Sequence, residues 1–252
     1  MRDTDRERSE PSSRAVRAVA FFLIGAFTCP IPAVRASDRA VSALIFGSLD
    51  AGPSVFVTGG VKLALDRIDR EGFAILASAG TGSRSERGPT AQAGGPARVM
   101  RQTTLGAALF GYQWFQDWGV VAAYAGPEGS MEALSCGCGT RTLPARLGLR
   151  LHGEVWARPS ETTLVNATLI VGSARGDLWT RIAYGTRIGG AYLGPEIAVY
   201  GDATGYRKWS FGLHATDLAF GDLRLRVSGG YLVETQTQGG SPYVAVSAWM
   251  PL

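Results

Sequence analysis

Residues 146–156 read Arg-Leu-Gly-Leu-Arg-Leu-His-Gly-Glu-Val-Trp. Leu147, Leu149, Leu151 and Val155 share one parity with Gly153, whereas Arg146, Arg150, His152, Glu154 and Trp156 share the other with Gly148. Side chains of a strand alternate faces, so a period of two marks a strand lying between two environments. A helical stripe at i, i+3 and i+4 would place Arg150 among leucines. The same alternation returns at 207–217, where Trp209, Phe211, Leu213 and Ala215 oppose Lys208, Ser210, Gly212, His214 and Thr216. It returns again at 223–231, with Leu223, Leu225, Val227 and Tyr231 against Arg224, Arg226, Ser228 and Gly230. Near the start, Val55, Val57, Val61, Leu63 and Leu65 oppose Thr58, Gly60 and Lys62.

Worked outward from these stretches, the pattern predicts about twelve strands, near 41–48, 54–65, 72–82, 100–115, 118–126, 145–156, 162–173, 177–188, 191–201, 206–217, 222–233 and 241–249. Most are longer than the usual strand of about 5–6 residues and match the ~9–11 that a tilted membrane-crossing strand needs. The two longest connections, 83–99 and 127–144, fall on one side of such a barrel, and Gln116-Asp117 and Gly189-Gly190 on the other. That division of long outer loops from short inner turns is the outer-membrane pattern.

A soluble lipocalin-like barrel shows the same alternation with its faces reversed, so periodicity alone does not separate the two. Composition does more. Among 252 residues 34 are Gly and 18% are charged, and Lys62 and Lys208 are the only lysines, whereas soluble sheets guard their exposed faces and edges with lysine. Aromatic residues gather near strand ends (Tyr112, Trp114, Phe115, Trp118, Trp156, Trp179, Tyr192, Tyr200, Trp209, Tyr231, Trp249), where interface girdles would fall. The apolar content of 46% argues against disorder. The net charge of +4 is too small and too scattered for nucleic-acid binding. The expected fold is all-β: an antiparallel up-and-down transmembrane β-barrel of about 12 strands. A soluble periplasmic sugar-binding barrel is its rival.

Residues 1–36 read as an address. Five arginines precede the short apolar run Ala18 to Phe27, then come Pro30, Pro32 and the small-residue exit Val34-Arg35-Ala36. This is the pattern of a secretory signal peptide, with 37–252 as the barrel domain, and the run is too short for a membrane helix. Cys29 as a lipidation site is disfavoured by the Ala26-Phe27-Thr28 approach.

Candidate chemistry is sparse. His152 and Glu154 share a strand face, and His214 shares one with Ser210 and Thr216. A nucleophilic site would need a histidine between a hydroxyl and an acid, so lumen lining is the favoured role. Cys136-Gly137-Cys138 lies in a loop and lacks the further His or Cys that a metal site requires. Arg146, Arg150, Arg181, Arg187, Arg224 and Arg226 are expected to face the lumen with Glu154 and Glu196. Such a lumen is either a selective pore or a salt-bridged plug, and the closed or narrow form is favoured because about twelve strands leave a modest interior. The segment Tyr124-Ala125-Gly126-Pro127-Glu128 recurs as Tyr192-Leu193-Gly194-Pro195-Glu196. Proline within strands is confined to edges, ends and bulges, so bulges or exits from the wall are expected there.

With these motifs the chain resembles the cellulose biosynthesis protein BcsS family of Gram-negative bacteria. The matching elements are Gly111-Tyr112-Gln113-Trp114, Tyr124 to Gly126-Pro127-Glu128, Tyr192 to Gly194-Pro195-Glu196, Gly201-Asp202, Gly205-Tyr206-Arg207-x-Trp209 with Gly212-x-His214, and Gly230-Tyr231. Phe46-Gly47 and Asp69-Arg70-Glu71-Gly72-Phe73 fit more loosely. The resemblance implies a non-enzymatic outer-membrane accessory of cellulose synthesis that assists export or assembly of the polymer. Its implied partners are outer-membrane lipid and cellulose or other synthesis components, with no cofactor and no catalytic residue carried over. A lipid- or glycan-modifying enzyme using His152 or His214, and a small pore, are the alternatives. The chain departs from the family in its Arg-rich 83–101 segment, its Cys-Gly-Cys segment and its terminal Leu252, with Trp249 three residues earlier.

Overall fold

The computed structural model describes residues 42–87, 98–137, 139–235 and 239–252. The expected signal peptide and its cleavage point lie outside the described residues. The strands are β1 (Ala43–Ala51), β2 (Val55–Ala64), β3 (Gly72–Arg87), β4 (Arg98–Gln116), β5 (Gly119–Cys136), β6 (Gly139–Thr142), β7 (Arg146–Ser160), β8 (Thr163–Gly172), β9 (Asp177–Ile188), β10 (Ala191–Gly201), β11 (Arg207–Phe220), β12 (Leu223–Glu234) and β13 (Gly240–Pro251). Each pairs antiparallel with its neighbours, β5 with β7, and β13 returns to β1 from Leu44↔Pro251 to Ala51↔Val244. Twelve strands thereby close a barrel. β6 stands outside the ring and pairs with β5 from Ala133↔Thr142 to Cys136↔Gly139.

The faces settle the choice left open by periodicity. Leu147, Leu149 and Leu151 are 88%, 67% and 58% exposed while Arg150 between them is 7% exposed. On β11, Phe211 and Leu213 lie open and Ser210, His214 and Thr216 are buried, and on β12 Arg226 and Ser228 are buried between the exposed Val227 and Tyr231. The outward face is therefore apolar, and the inward face carries the polar and charged side chains together with a few buried leucines such as Leu76, Leu109 and Leu232. A water-soluble barrel would expose this apolar surface at a cost of roughly 25 cal/mol per Å². In a bilayer the same surface meets lipid, and the closed ring leaves no strand edge unpaired there.

Two expectations are corrected. The first concerns the Gly-Pro pairs, which are neither bulges nor exits from the wall. β5 and β10 run straight through them, and the ladder keeps one register on either side of the gap, from Ala107↔Glu128 to Phe110↔Ala125 and from Leu193↔Thr186 to Glu196↔Ala183. Proline lacks only its N–H, so the ladder is interrupted on one flank. On the other flank Pro127↔Leu149 and Pro195↔Leu213 keep continuous pairing. The glycine before each proline lets the interrupted flank stay close: a Cβ at Gly126 would collide with the Ala108 carbonyl and one at Gly194 with that of Tyr184. Register shifts occur elsewhere, at Ala157/Ser160 and Thr216/Leu218.

The second correction follows from the first. The 127–144 stretch, expected as a loop because Pro127 reads as a stop, continues β5 to Cys136 and adds β6. Likewise β3 extends to Arg87 and β4 starts at Arg98 inside the expected 83–99 loop. These strands rise beyond the rest of the wall at the end opposite the short turns at 117–118 and 189–190. By the usual orientation that end faces outward.

The aromatic girdle is also only half realised. Trp114, Trp118, Trp209 and Tyr231 point outward, with Phe73, Phe110, Tyr112 and Trp114 in sequential ring contact on the outer face. Tyr192 is buried, and Trp156 meets Trp249 at 5.5 Å between strands on opposite sides of the ring, a contact possible only through the lumen. Replacing Leu213, midway along β11, by Arg is expected to destabilise the barrel by about 2–4 kcal/mol in equilibrium unfolding from lipid vesicles. Leu213→Ile is expected to be near neutral.

Candidate functional site

Ion pairs fill the interior of the barrel, several of them between strands that are not neighbours in the wall. On β7, Glu154 accepts from Lys62 Nζ of β2 at 2.7 Å and sits 3.1 Å from His152 Nε2. Arg226 of β12 binds Glu196 of β10 and donates to Asn166 of β8 at 3.1 Å, while Ser228 and Tyr243 also donate to Glu196. Arg150 donates to Glu128 at 2.7 Å, and the Ala174 amide donates to the other oxygen of that carboxylate at 2.8 Å. Lys208 of β11 meets Asp50 of β1 at 2.8 Å. The recurring Tyr-x-Gly-Pro-Glu segment thus has a structural counterpart: in both copies its tyrosine is buried, and its glutamate is the buried partner of a lumen arginine.

At the outward end the pairing becomes cyclic. Glu86 binds Arg84 and Arg101 at 2.7 and 2.8 Å; Arg101 binds Glu132 at 3.1 Å; Glu132 binds Arg175 at 3.1 Å; Arg175 binds Asp202 at 3.1 Å; and Asp202 returns to Arg84 at 2.7 Å. Three guanidiniums and three carboxylates alternate around this ring. It joins β3, β4 and β5 to the 173–176 turn and the 202–206 loop, so it spans the mouth. Tyr200 donates to Asp202 and accepts from Arg175, and the Arg84 guanidinium lies 4.0 Å from the Tyr206 ring centre. Tyr206 continues the network to Ser54 and thence to Glu234. Burial pushes the Tyr206 phenol well above its ordinary value. For Asp202 burial acts in the same upward direction, but hydrogen bonds from Thr204 and Arg84 outweigh it and hold the carboxyl below its usual range. The Asp202 carboxylate therefore stays charged at neutral pH.

Of the residues singled out from sequence, the structure places Arg150, His152, Glu154, His214 and Arg226 in the interior, each with a partner. His214 is fixed between Thr216 Oγ1 at 2.7 Å and the Tyr184 carbonyl at 3.1 Å. Among the described residues neither histidine joins a hydroxyl to an acid, and no group of three His, Cys, Asp or Glu side chains is placed to hold a metal. Arg146 is exposed at the outer end of β7, and Arg224 lies near the inner end, 3.8 Å from Asp217. Arg181 shares a cavity of about 20 Å³ with Asp50, Glu196, Lys208 and Tyr243, and its Nε has no protein partner; the space suits about one water. Gln113 is buried inward, whereas Tyr112, Trp114 and Trp209 belong to the outer face, and a Cβ at Gly111 would collide with the Ala123 carbonyl. Cys136 is disulfide-bonded.

The cyclic network itself escaped the sequence reading. Arg84, Glu86 and Glu132 fell in stretches assigned to loops, and Arg101 at the very start of an expected strand. The available signal was parity: Arg84 and Glu86 share one face, and Glu132 lies on the same face of β5 as Glu128.

With the lumen described, the chain can be set beside known proteins. The model of the cellulose biosynthesis protein BcsS family matches residues 44–252, the whole wall of the barrel but its first residue. The chain belongs to the BcsS family. No curated protein matches it. Solved structures that resemble it include a KdgM porin in complex with disordered oligogalacturonate (10% identity, TM-score 0.41, covering 83% of this chain and 99% of that one). The β domain of the Bordetella autotransporter BrkA is another, with 14% identity, TM-score 0.40 and the same coverage. For this BcsS-family chain, then, the family places it in cellulose biosynthesis, and the outward apolar face of its closed barrel suits a membrane.

Breaking a buried pair by removing one partner typically costs about 3–5 kcal/mol, because the other charge stays buried and unpaired. Arg226→Met is therefore expected to destabilise the barrel by that amount in urea unfolding from vesicles. The double variant Arg226→Met with Glu196→Gln is expected to recover most of the loss.

Proposed function

We propose that the protein is a non-enzymatic outer-membrane accessory of cellulose production that assists assembly or export of the glucan without conducting it through its own closed lumen. The observation that carries this reading is the pairing itself: ion pairs cross the lumen at several levels and a charge-matched ring spans the outward mouth. An open conduit for a polymer requires a continuous free path. A charge-selective pore would present charges free to meet solutes, whereas here Arg84, Arg101, Arg150, Arg175 and Arg226 are each held by carboxylates. A hydroxyl-nucleophile site would need a histidine joining a hydroxyl to an acid; His214 meets the Thr216 hydroxyl and the Tyr184 carbonyl, and His152 meets Glu154. The apolar belt makes outer-membrane lipid the natural surroundings. Components of the cellulose machinery are the natural partners, reached through the two ends of the barrel.

Deleting the gene is expected to lower dye-binding cellulose at the cell surface or alter its architecture, while glucan synthesis by inner-membrane vesicles stays intact. Unchanged cellulose amount and architecture would contradict the proposal. Loss of synthesis in the vesicles would contradict an outer-membrane role.

A further inference from the structure

The inward end of the barrel carries an open depression of about 310 Å³ lined by Arg158, Glu161, Arg187, Tyr192 and Asp217. It lies where β7, the 161–162 turn, β9, β10 and β11 come together, on the side away from the outward mouth. Its volume is within the ordinary range of small-ligand pockets, and it opens at the end that faces the periplasm in the usual orientation.

Asp217 is the only described residue other than glycine with positive φ, at 69°, and it is the extra residue at the β11–β12 register shift. Along β11 the odd positions Trp209, Phe211 and Leu213 face lipid, so an unbroken alternation would send residue 217 outward as well. The bulge turns its carboxylate inward instead, to within 3.5 Å of Arg158 and 3.8 Å of Arg224. Bulges commonly re-aim a side chain beside a functional site, and backbone strain of this kind persists where the surroundings impose it. Arg187 makes no ion pair among the described residues; its guanidinium lies 6.0 Å from the Tyr192 ring centre, with Arg158 at 5.9 Å from the same ring.

The lining carries two guanidiniums and two carboxylates, so it has no net charge and offers donors and acceptors side by side. An anion would gain Arg158 and Arg187 but meet Asp217 and Glu161. A sugar hydroxyl both donates and accepts, and can use all four. We propose that this pocket binds a short stretch of neutral, unbranched β-linked glucan presented from the periplasmic side. The proposal rests on the cellulose role argued above and adds to it the place where the polymer touches the barrel.

The test is calorimetric titration of the full chain, folded in detergent, with cellohexaose. Saturable binding is expected. Arg187→Ala and Asp217→Asn, the latter keeping a residue that tolerates positive φ, are each expected to weaken it at least tenfold. Arg146→Ala at the opposite end is expected to leave it unchanged. A heat-modifiable gel shift shows that each variant is folded. Undiminished binding in both pocket variants would overturn the site, and no binding by the parent chain, or a preference for an acidic oligouronate, would overturn the ligand class. The cellulose output of the deletion strain separates the two readings. Reduced output without cellohexaose binding sinks the pocket alone, whereas pocket-dependent binding with unchanged output supports the pocket and sinks the cellulose role.

Discussion

Everything inside this barrel depends on charges that must find partners across the lumen. A closed wall of twelve strands faces lipid on one side, so every inward position not filled by an apolar or small side chain opens into a narrow, shielded interior. An isolated guanidinium or carboxylate there would lose much of its hydration without compensation. The molecule resolves this by pairing, and several of the partners come from non-adjacent elements: β2 with β7, β10 with β12, β3 with the loop after β10. Each pair acts as a strut between separated parts of the wall. The pairs that give the interior its electrostatic balance are also those that, in the role proposed above, close it.

The wall is adapted to that interior. At the two Gly-Pro sites the ladder is interrupted on one flank while register is preserved, and two residues after each glycine the chain places a buried glutamate. Pro127 and Pro195 face outward, where a missing N–H costs one ladder bond, and Glu128 and Glu196 face inward, where each receives an arginine. The near-repeat is thus a device for seating a carboxylate inside a continuous strand. At the outward end three long strands carry the pairing above the rest of the wall, and the 173–176 turn and 202–206 loop reach it from the other side.

What could be read from sequence follows from the range of the physics involved. Alternation is a local property, so the strands around 146–156, 207–217 and 223–231 were legible with nearly correct limits, and so was the lumen position of Arg150, Glu154 and Arg226. Closure is not local. Arg84 and Asp202 are 118 residues apart and Lys62 and Glu154 are 92 apart, and no single-chain period connects them. The outer halves of β3, β4 and β5 were hidden for a different reason. Proline and glycine are strong punctuation in most strands, and only the one-sided cost of Pro127 in a closed wall lets β5 continue to Cys136. The inner pocket was hidden because a bulge reverses the parity that the rest of β11 obeys.

The cross-lumen pairs are the elements that would hold the lumen shut. Single-channel recording in planar bilayers at neutral pH tests this most directly, comparing the parent chain with a variant carrying Arg84→Ala and Arg175→Ala, which removes four of the six links in the outer ring. The parent is expected to stay silent or nearly so, and the variant to show discrete openings. A parent chain that already conducts steadily, with the same conductance in the variant, would contradict it.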